Sequence, residues 1–300
     1  MQSDIRLHGS IECARSDDPQ IRILLGPVPA ALDGAVSTGA NWQSAPPAFL
    51  LNVPGVVRFL VTSGREIVVE PAAGVSLDDA AIFIAGTAIA IALYQRGALI
   101  LHASAVTHDG GAFAFSGASG AGKSTLAALL CLDGSCAMLS DDVSAVDVAG
   151  EHPILAADGR RFRLWDDVIE SLDLADHRGR QVRSMINKYH VELPVPRPDT
   201  GLPLRGIYLL EALPAGDAPS VELLPPGRAA FALDHHRYRR ILSNHIGDMA
   251  QRFGQMARLV DSVPVYLFRR PVALDDNART VACLKAHWAS LGTIPESPPA

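Results

Sequence analysis

The chain has 300 residues, 48% of them apolar, so it can bury a full hydrophobic core, which excludes a disordered, collagen-like or small disulfide-stapled protein. Acidic residues outnumber basic ones by 32 to 26, which gives a net charge of −6 and argues against a protein that coats nucleic acid. Only three of the basic residues are lysines, at positions 123, 188 and 285. In a chain that otherwise uses arginine, each retained lysine is a candidate for chemistry that a guanidinium does not supply.

The sequence predicts a cytoplasmic protein that has no membrane contact. The first residues lack a charged-then-apolar leader. The longest uncharged apolar run, Ala80 to Tyr94, is shorter than the roughly 20 residues that cross a bilayer. The four cysteines form no CxxC pair, which favours reduced thiols over disulfides or a zinc site; they are at positions 13, 131, 136 and 283.

Residues 1–97 are predicted to form a small β-rich N-terminal region, a candidate for acceptor recognition. Residues 1 to about 48 are expected to be loop-rich, because prolines interrupt them. Two β-branched runs on either side of Ser63-Gly64-Arg65 are typical of a β-hairpin. An apolar helix is predicted from about Leu77 to Tyr94, with Asp78 and Asp79 at its N-terminus.

Residues 98–292 alternate between strand and helix patterns, which predicts an α/β domain with a mixed sheet and flanking helices. The predicted strands are 98–106, 112–116, 136–140, 143–148, 189–193, 204–211 and 263–268. The predicted helices are 123–131, 166–173, 226–233, 238–260 and 275–290. The tail, 293–300, is expected to be disordered.

The strongest signal is a complete phosphate-binding loop of the form G-x-x-x-x-G-K-S/T. A strand is predicted to end at Ser116, and a helix to begin at Lys123. The glycines let backbone N–H groups surround a phosphate, Lys123 supplies a compact ammonium to the β- and γ-phosphates, and Ser124 offers a hydroxyl to Mg²⁺. The predicted nucleotide site is Gly117, Ala118, Ser119, Gly120, Ala121, Gly122, Lys123, Ser124 and Thr125.

Two common classes of phosphate-loop protein fit poorly. A GTPase requires Asn-Lys-x-Asp to read the base, and Asn187-Lys188-Tyr189-His190 lacks the aspartate. The short DxxG at Asp147 arises easily by chance. A transport ATPase requires a Ser-Gly-Gly-rich signature, which this sequence lacks.

A pair of aspartates and one histidine are candidates for catalysis. An apolar strand is predicted to end at Asp141 and Asp142; one carboxylate can hold Mg²⁺ while the other accepts a proton from an incoming hydroxyl. Neighbouring strand residues point to opposite faces, which suggests distinct roles. His102 precedes the loop and could lie near the transferred phosphate. The alternatives are that Asp141 and Asp142 form a solvated turn and that His102 has a structural role.

Two basic segments follow the aspartate pair. Arg163 lies beside Arg160 and Arg161, and a second run from His177 to Arg183 leads to Lys188. These residues either face the γ-phosphate or an acidic acceptor, or form a solvated loop. Lys188 and then Arg163 are the preferred candidates for phosphate contact.

Three segments together resemble a known family: Leu101-His-Ala-Ser-Ala-Val106, the phosphate loop and Leu139-Ser-Asp-Asp142. In this order they resemble the C-terminal catalytic domain of HPr kinase/phosphorylase and its kinase relatives, over about residues 98–270. The resemblance implies a phosphoenolpyruvate-carboxykinase-like fold and transfer of phosphate from ATP, with Mg²⁺, to a serine hydroxyl. It implies Asp142 as the base, Asp141 as its partner near the metal, and His102 as a supporting group.

The sequence also departs from that family. Thr125 stands where the HPr enzymes usually carry Glu, and a segment ending in Trp165 replaces their Glu-Ile-Arg-Gly signature. The N-terminal region is unlike their usual sensor domain. The closer resemblance is to related peptide kinases, including those that phosphorylate lasso-peptide precursors, which implies a ribosomally made peptide as acceptor.

The sequence leaves two other functions open. One is a regulatory module in which ATP only switches conformation, and the other is a kinase for a free small-molecule hydroxyl. The expected partner is a peptide or protein with a serine hydroxyl, and assembly into a homo-oligomer is left open.

Overall fold

The computed structural model describes residues 1–7, 21–158, 161–183 and 186–292. The predictions for Cys13, Arg160 and the tail 293–300 lie outside the described residues.

The described chain begins with seven strands, and helices and further strands follow in short runs. The strands are β1 (Gln2–Ser3), β2 (Arg22–Leu25), β3 (Ser37–Thr38), β4 (Trp42–Ala45), β5 (Ala48–Val53), β6 (Val57–Thr62), β7 (Glu66–Pro71), β8 (Leu99–Leu101), β9 (Ala103–His108), β10 (Gly111–Ser116), β11 (Ala137–Asp141), β12 (Ser144–Asp147), β13 (Ile154–Leu155), β14 (Phe162–Trp165), β15 (Arg178–Arg183), β16 (Ile186–Val191), β17 (Leu202–Leu213), β18 (Ser220–Leu223) and β19 (Val265–Pro271). The α-helices are α1 (Leu77–Phe83), α2 (Ile89–Gln95), α3 (Lys123–Cys131), α4 (Asp166–Ser171), α5 (Pro226–His235), α6 (Arg240–Ser243), α7 (Met249–Ser262) and α8 (Asn277–Ser290).

The N-terminal region is a seven-stranded sheet in the order β1-β2-β7-β6-β5-β4-β3. The predicted hairpin is confirmed as β6 and β7, paired from Val57↔Pro71 to Thr62↔Glu66. The described residues up to about 48 are loop-rich, as predicted, but they also contain the short strands β2 and β4. These strands have only four residues each and are stabilised by pairing with β7 and β5, which their own sequence does not show.

One continuous apolar helix packs against this sheet. A π-helical turn, Ile84–Ala88, joins α1 to α2, and the Ser76 side chain caps the start by accepting from the Asp79 N–H. The 19 residues Leu77–Gln95, with a mean hydropathy of 1.7, are long and apolar enough to cross a membrane by length and composition. Ile84 and Ile91 of this helix lie in the buried cluster formed with the N-terminal sheet.

A nine-stranded mixed sheet forms the second layer, and it confirms the predicted α/β architecture. Its main path is β11-β9-β10-β17-β13-β12-β8, and β19 pairs with β17 and β18. The contacts of β10 with β17 and of β17 with β19 are parallel, and β9 pairs antiparallel to β10. The fold therefore contains both strand directions in one sheet.

Alternating side chains of β10 face the two sides of this sheet. Phe113 and Phe115 lie in a buried cluster with residues of α3 and α8. Ala112 and Ala114 lie in another cluster with residues of α5 and α7. Since both faces are covered, β10 delivers the phosphate-binding loop from the centre of the core.

Two predicted elements are divided in the structure. The strand predicted for 98–106 breaks at His102, because β8 pairs with β12 whereas β9 pairs with β10 and β11. The helix predicted for 238–260 is wrong: α6 ends at Ser243 and α7 begins at Met249. Gly247 between them has a φ of +70°, and the Asp248 side chain caps α7 by accepting from Ala250 N at 2.8 Å.

A separate three-stranded sheet, β14-β16-β15, was predicted only in part. The sequence predicts β16 as a strand, but it predicts the basic segments of β14 and β15 as loops. That prediction is wrong, because both segments are strands that pair with β16. This small sheet carries Arg163 and Lys188 to the cleft described next.

Candidate active site

The loop that is predicted to bind phosphate lies between β10 and α3, so the predicted order of strand, loop and helix is confirmed. Gly120 and Gly122 have φ values of +84° and +78°, in the left-handed region that favours glycine. Gly122 is the N-cap of α3, so the partial positive charge of that helix end is directed toward the loop.

Lys123 is folded back into the loop. Its Nζ donates to the carbonyl oxygens of Gly117 and Ala118, both at 3.0 Å, and the residue is 7% exposed. Burial lowers the pKa of the ammonium, against the opposing charges of Asp142 and Asp141. The lysine is thus positioned by the same backbone that would surround a phosphate.

Asp141 connects the loop to the end of β11. Its Oδ1 accepts from Ser124 Oγ at 2.8 Å and from Ser104 Oγ at 2.6 Å. Its Oδ2 is buried and has no hydrogen-bond partner in the described part of the chain, and Arg163 Nε lies 3.9 Å from it. A buried carboxylate oxygen without a donor is costly, so it is suited to meet a cation.

These residues fit a Mg²⁺ ion that is shared with a nucleotide. Ser124 and Asp141 supply hard oxygen ligands. No group of three or more His, Cys, Asp and Glu side chains capable of holding a metal occurs among the described residues. The remaining ligands would therefore be phosphate oxygens and water, as is usual for Mg²⁺.

Asp142 lines the same cleft and has its own set of contacts. Its φ is +78°, an uncommon conformation for a non-glycine residue, and its N–H donates to Ala103 O at 2.9 Å. His102 Nε2 lies 3.1 Å from Oδ1, and Arg163 Nη2 lies 2.8 Å from Oδ2. The two aspartates thus have different hydrogen-bond partners, Ser104 and Ser124 for Asp141 and His102 and Arg163 for Asp142, while Arg163 also lies 3.9 Å from Asp141.

The neighbours of Asp142 keep its carboxylate ionised. Burial by itself would raise the pKa, but the Arg163 charge and the contact with His102 outweigh it and hold the pKa of Asp142 well below its ordinary value. Burial would likewise lower the pKa of Arg163, but the Asp142 and Asp141 charges raise it above its usual value. The pair is a carboxylate and a guanidinium over the working pH range of proteins.

His102 is fixed by its backbone at the break between β8 and β9. Its N–H donates to His236 O at 3.0 Å, and its carbonyl accepts from Ser116 Oγ at 3.1 Å. The imidazole meets the Tyr238 ring edge-on, with centroids 5.9 Å apart. The side chain is therefore positioned to orient Asp142.

One cleft of about 560 Å³ brings most of the predicted residues together. Lys188 also lines it, with Nζ 5.7 Å from the centre of the Trp165 ring, and burial lowers the pKa of this ammonium. Gly117, Ala118 and Ala121 contribute backbone rather than lining. The predicted residues that line the cleft are His102, Ser119, Gly120, Gly122, Lys123, Ser124, Thr125, Asp141, Asp142, Arg163 and Lys188.

The third lysine lies outside the cleft. Lys285 is on α8, where its ammonium pairs with Asp133 and donates to Ser135 Oγ at 2.9 Å. Its role is a surface contact between α8 and the segment after α3.

The sequence analysis missed Arg270, whose side chain donates hydrogen bonds to backbone carbonyls of the loop. This residue of β19 is 3% exposed, and its Nη2 donates to the carbonyls of Ala121 and Gly122 at 3.1 and 3.3 Å. Burial lowers its pKa to about 10. A Cβ at Gly122 would collide with the guanidinium. Ser104, whose hydroxyl bonds Asp141, was also missed, because nothing local distinguishes either residue.

Replacing Arg270 with Gln is expected to weaken nucleotide binding about tenfold, because the loop loses charge-assisted hydrogen bonds that hold two of its carbonyls. Titration of a fluorescent ATP analogue measures this. Arg269→Gln is the matched control, since Arg269 is the next residue and pairs with Glu211 and Glu222 on the surface. Equal affinities for the two variants would contradict a supporting role for Arg270.

A scan against protein-family models finds no match, and a search of curated proteins finds none. Among solved structures, the chain is similar to the Hpr(Ser) kinase/phosphatase from Coxiella burnetii. The TM-score is 0.34 at 12% sequence identity, and the match covers 64% of this chain and 97% of that chain. A TM-score of 0.34 at this identity does not show a shared activity.

Proposed function

We propose that this protein is an ATP- and Mg²⁺-dependent kinase that transfers the γ-phosphoryl group to a serine hydroxyl of a peptide or protein. The observation that carries the proposal is the position of Asp142. An ionised carboxylate lies in the same cleft as the phosphate-loop lysine and the Ser124–Asp141 pair, which is the arrangement that phosphoryl transfer to a hydroxyl requires.

The loop would bind and orient the triphosphate. Its backbone N–H groups and the N-terminus of α3 favour anionic oxygens. Lys123 would exchange its two carbonyl contacts for phosphate oxygens, and Lys188, which lines the same cleft, would also approach them. Mg²⁺, held by Ser124 and Asp141, would neutralise charge on the phosphates when bound.

Asp142 would receive the proton of the acceptor. The serine oxygen forms a bond to the γ-phosphorus, the bond from that phosphorus to the bridging oxygen breaks, and the hydroxyl proton moves to Asp142. His102 and Arg163 fix the two carboxylate oxygens. Arg163 also lies near Asp141, the residue that would hold Mg²⁺ beside the phosphates. If its guanidinium moved from Asp142 to a phosphate oxygen, Asp142 Oδ2 would be free to accept the hydroxyl proton.

The acceptor class supported by the family resemblance is a peptide, with a ribosomally made precursor as the specific proposal. A cytoplasmic location, the lack of a nucleic-acid partner and the oligomeric state stay predictions.

Three acceptors distinguish this function from its alternatives. The full chain is incubated with ATP and Mg²⁺ and with a pool of serine peptides, the same peptides carrying alanine, or free serine, and products are identified by mass spectrometry. We expect phosphoserine only in the serine peptides. Phosphorylation of free serine alone would instead identify a small-molecule kinase, and nucleotide binding with no product would identify a regulatory module.

A further inference from the structure

A second cleft, of about 500 Å³, lies beside the catalytic one. The β14-β16-β15 sheet and the segments flanking it line this cleft. Its charged and titratable lining consists of three arginines, two histidines and two carboxylates: Arg161, Arg178, Arg180, His177, His190, Asp176 and Glu192. The kinase chemistry proposed above uses none of these residues.

The two clefts share one face of the small sheet. Residues directly opposite each other on paired strands place their side chains on the same face, and Arg163 is opposite His190 while Trp165 is opposite Lys188. Arg163, Trp165 and Lys188 line the catalytic cleft, whereas His190 lines the second cleft.

The same face continues to Arg161. This residue is two positions before Arg163, which is the strand repeat, and its Nε donates to Glu192 Oε2 at 2.6 Å. From Arg161 to Arg163, whose Nη2 lies 2.8 Å from Asp142 Oδ2, the backbone rises about 7 Å, at about 3.3 Å per residue. An extended segment of a few residues would therefore span the distance from Arg161 to the position beside Asp142.

The strands of this sheet are basic, although the whole chain is acidic. Together β14, β15 and β16 contain five basic residues and no acidic one, in a protein of net charge −6. The basic residues are Arg163, Arg178, Arg180, Arg183 and Lys188.

The arginines of the second cleft pair with acids that are partly exposed. Arg161 bonds Glu192, and Arg178 and Arg180 pair with Asp166 and Asp78. Such exposed pairs are worth only about 0–1 kcal/mol each. Carboxylates of an incoming segment could therefore exchange with them at little cost and form charge-assisted hydrogen bonds with the guanidinium groups.

We propose that the second cleft docks an acidic segment of the acceptor peptide, next to the serine that reaches Asp142. The inference rests on the proposed kinase function and adds to it a substrate class and a docking site. Two observations support it: the arginines that line the cleft, and the sheet face that His190 shares with Arg163. Arg178 is opposite Val191, so it belongs to the other face and lines the cleft from the edge strand β15.

Binding of two matched peptides tests the proposal without requiring phosphoryl transfer. Each is a fluorescein-labelled peptide of the same length with a central serine, flanked by glutamates in one and by lysines in the other. Anisotropy is measured with the full chain and a non-hydrolysable ATP analogue. We expect the acidic peptide to bind at least about tenfold more tightly, and this preference to shrink as salt screens the charges.

Charge reversal locates the site. The double variant Arg161→Glu/Arg178→Glu is expected to lower the affinity for the acidic peptide about tenfold or more and to leave the affinity for the ATP analogue unchanged. Arg258→Glu is the control, because Arg258 is an exposed arginine on α7 outside both clefts. The control is expected to bind both ligands as wild type does.

The outcomes separate this inference from the kinase proposal. Equal binding of the two peptides, or a preference for the acidic peptide that persists in the double variant, would overturn the acidic-segment inference. The kinase proposal would be unaffected, because the transfer assay tests it separately. Binding of the acidic peptide at Arg161 and Arg178 with no phosphoserine formed from it or from any other peptide would support the docking site and overturn the kinase proposal.

Discussion

The Asp142→Asn variant is expected to transfer phosphate about 10²–10⁴-fold more slowly than wild type, the range associated with loss of a general base. Asparagine keeps the size of the side chain and tolerates the φ of +78° that the position requires. It does not carry the negative charge that Arg163 and His102 hold in place. The affinity for ATP is expected not to weaken, since the loop and Lys123 are untouched.

Single-turnover transfer to a serine peptide measures the rate of phosphate transfer, and titration of an ATP analogue measures the nucleotide affinity. Asp109→Asn is the matched control, because Asp109 is also an aspartate with a positive φ, +46°, but lies in the exposed turn between β9 and β10. We expect the control to behave as wild type. Wild-type transfer rates in Asp142→Asn would exclude Asp142 as the proton acceptor.

Replacement of Lys123 with Met is expected to weaken ATP binding about 10- to 100-fold, the effect of losing a charged hydrogen-bond donor. Methionine is apolar and flexible enough to occupy a site that is 7% exposed. Burial disfavours the charged ammonium of Lys123, which lowers its pKa. The neutral methionine carries no buried charge, so the free energy of unfolding is expected to be preserved.

Isothermal titration with MgATP measures the loss, and thermal unfolding checks the fold. Lys285→Met is the control, because it removes a lysine of the surface pair with Asp133 and leaves the loop intact. Equal ATP affinity in the two variants would show that Lys123 does not contact the phosphates.

The sequence predicted those parts of the cleft that are formed by consecutive residues. The phosphate-binding loop could be predicted because its strand, glycines, lysine and helix are consecutive, and each residue type follows from local backbone conformation. Asp141 and Asp142 could be placed at a strand end by the apolar run before them. Their separate contacts depend on the left-handed backbone at Asp142, which no local pattern indicates.

Contacts between distant strands could not be predicted. Arg270 reaches the loop because β19 and β10 both pair with β17, and only the sheet order reveals this. The short strand β2 is stabilised by the register with β7 rather than by its own propensity. The division of the helix predicted for 238–260 depends on the positive φ at Gly247, which a periodic apolar pattern does not reveal.

The basic segments illustrate a partial success. The sequence showed that Arg161, Arg163 and Lys188 belong to basic stretches, but left open whether these face a ligand or solvent. Cross-strand register decides part of the question, since it places Arg163 beside Asp142 and Lys188 in the catalytic cleft. Arg161 is placed at a different cleft on the same face, which is the basis for the proposed docking site.

The fate of the γ-phosphate tests the central claim most directly. The full chain is incubated with γ-labelled ATP, Mg²⁺ and serine peptides with acidic, basic or neutral flanks, and the label is followed into phosphoserine, inorganic phosphate and unreacted ATP. A Mg²⁺-dependent kinase is expected to place the label on the serine oxygen, with little released as inorganic phosphate. Tight ATP binding with the label remaining in ATP, or released only as inorganic phosphate, would contradict the kinase function.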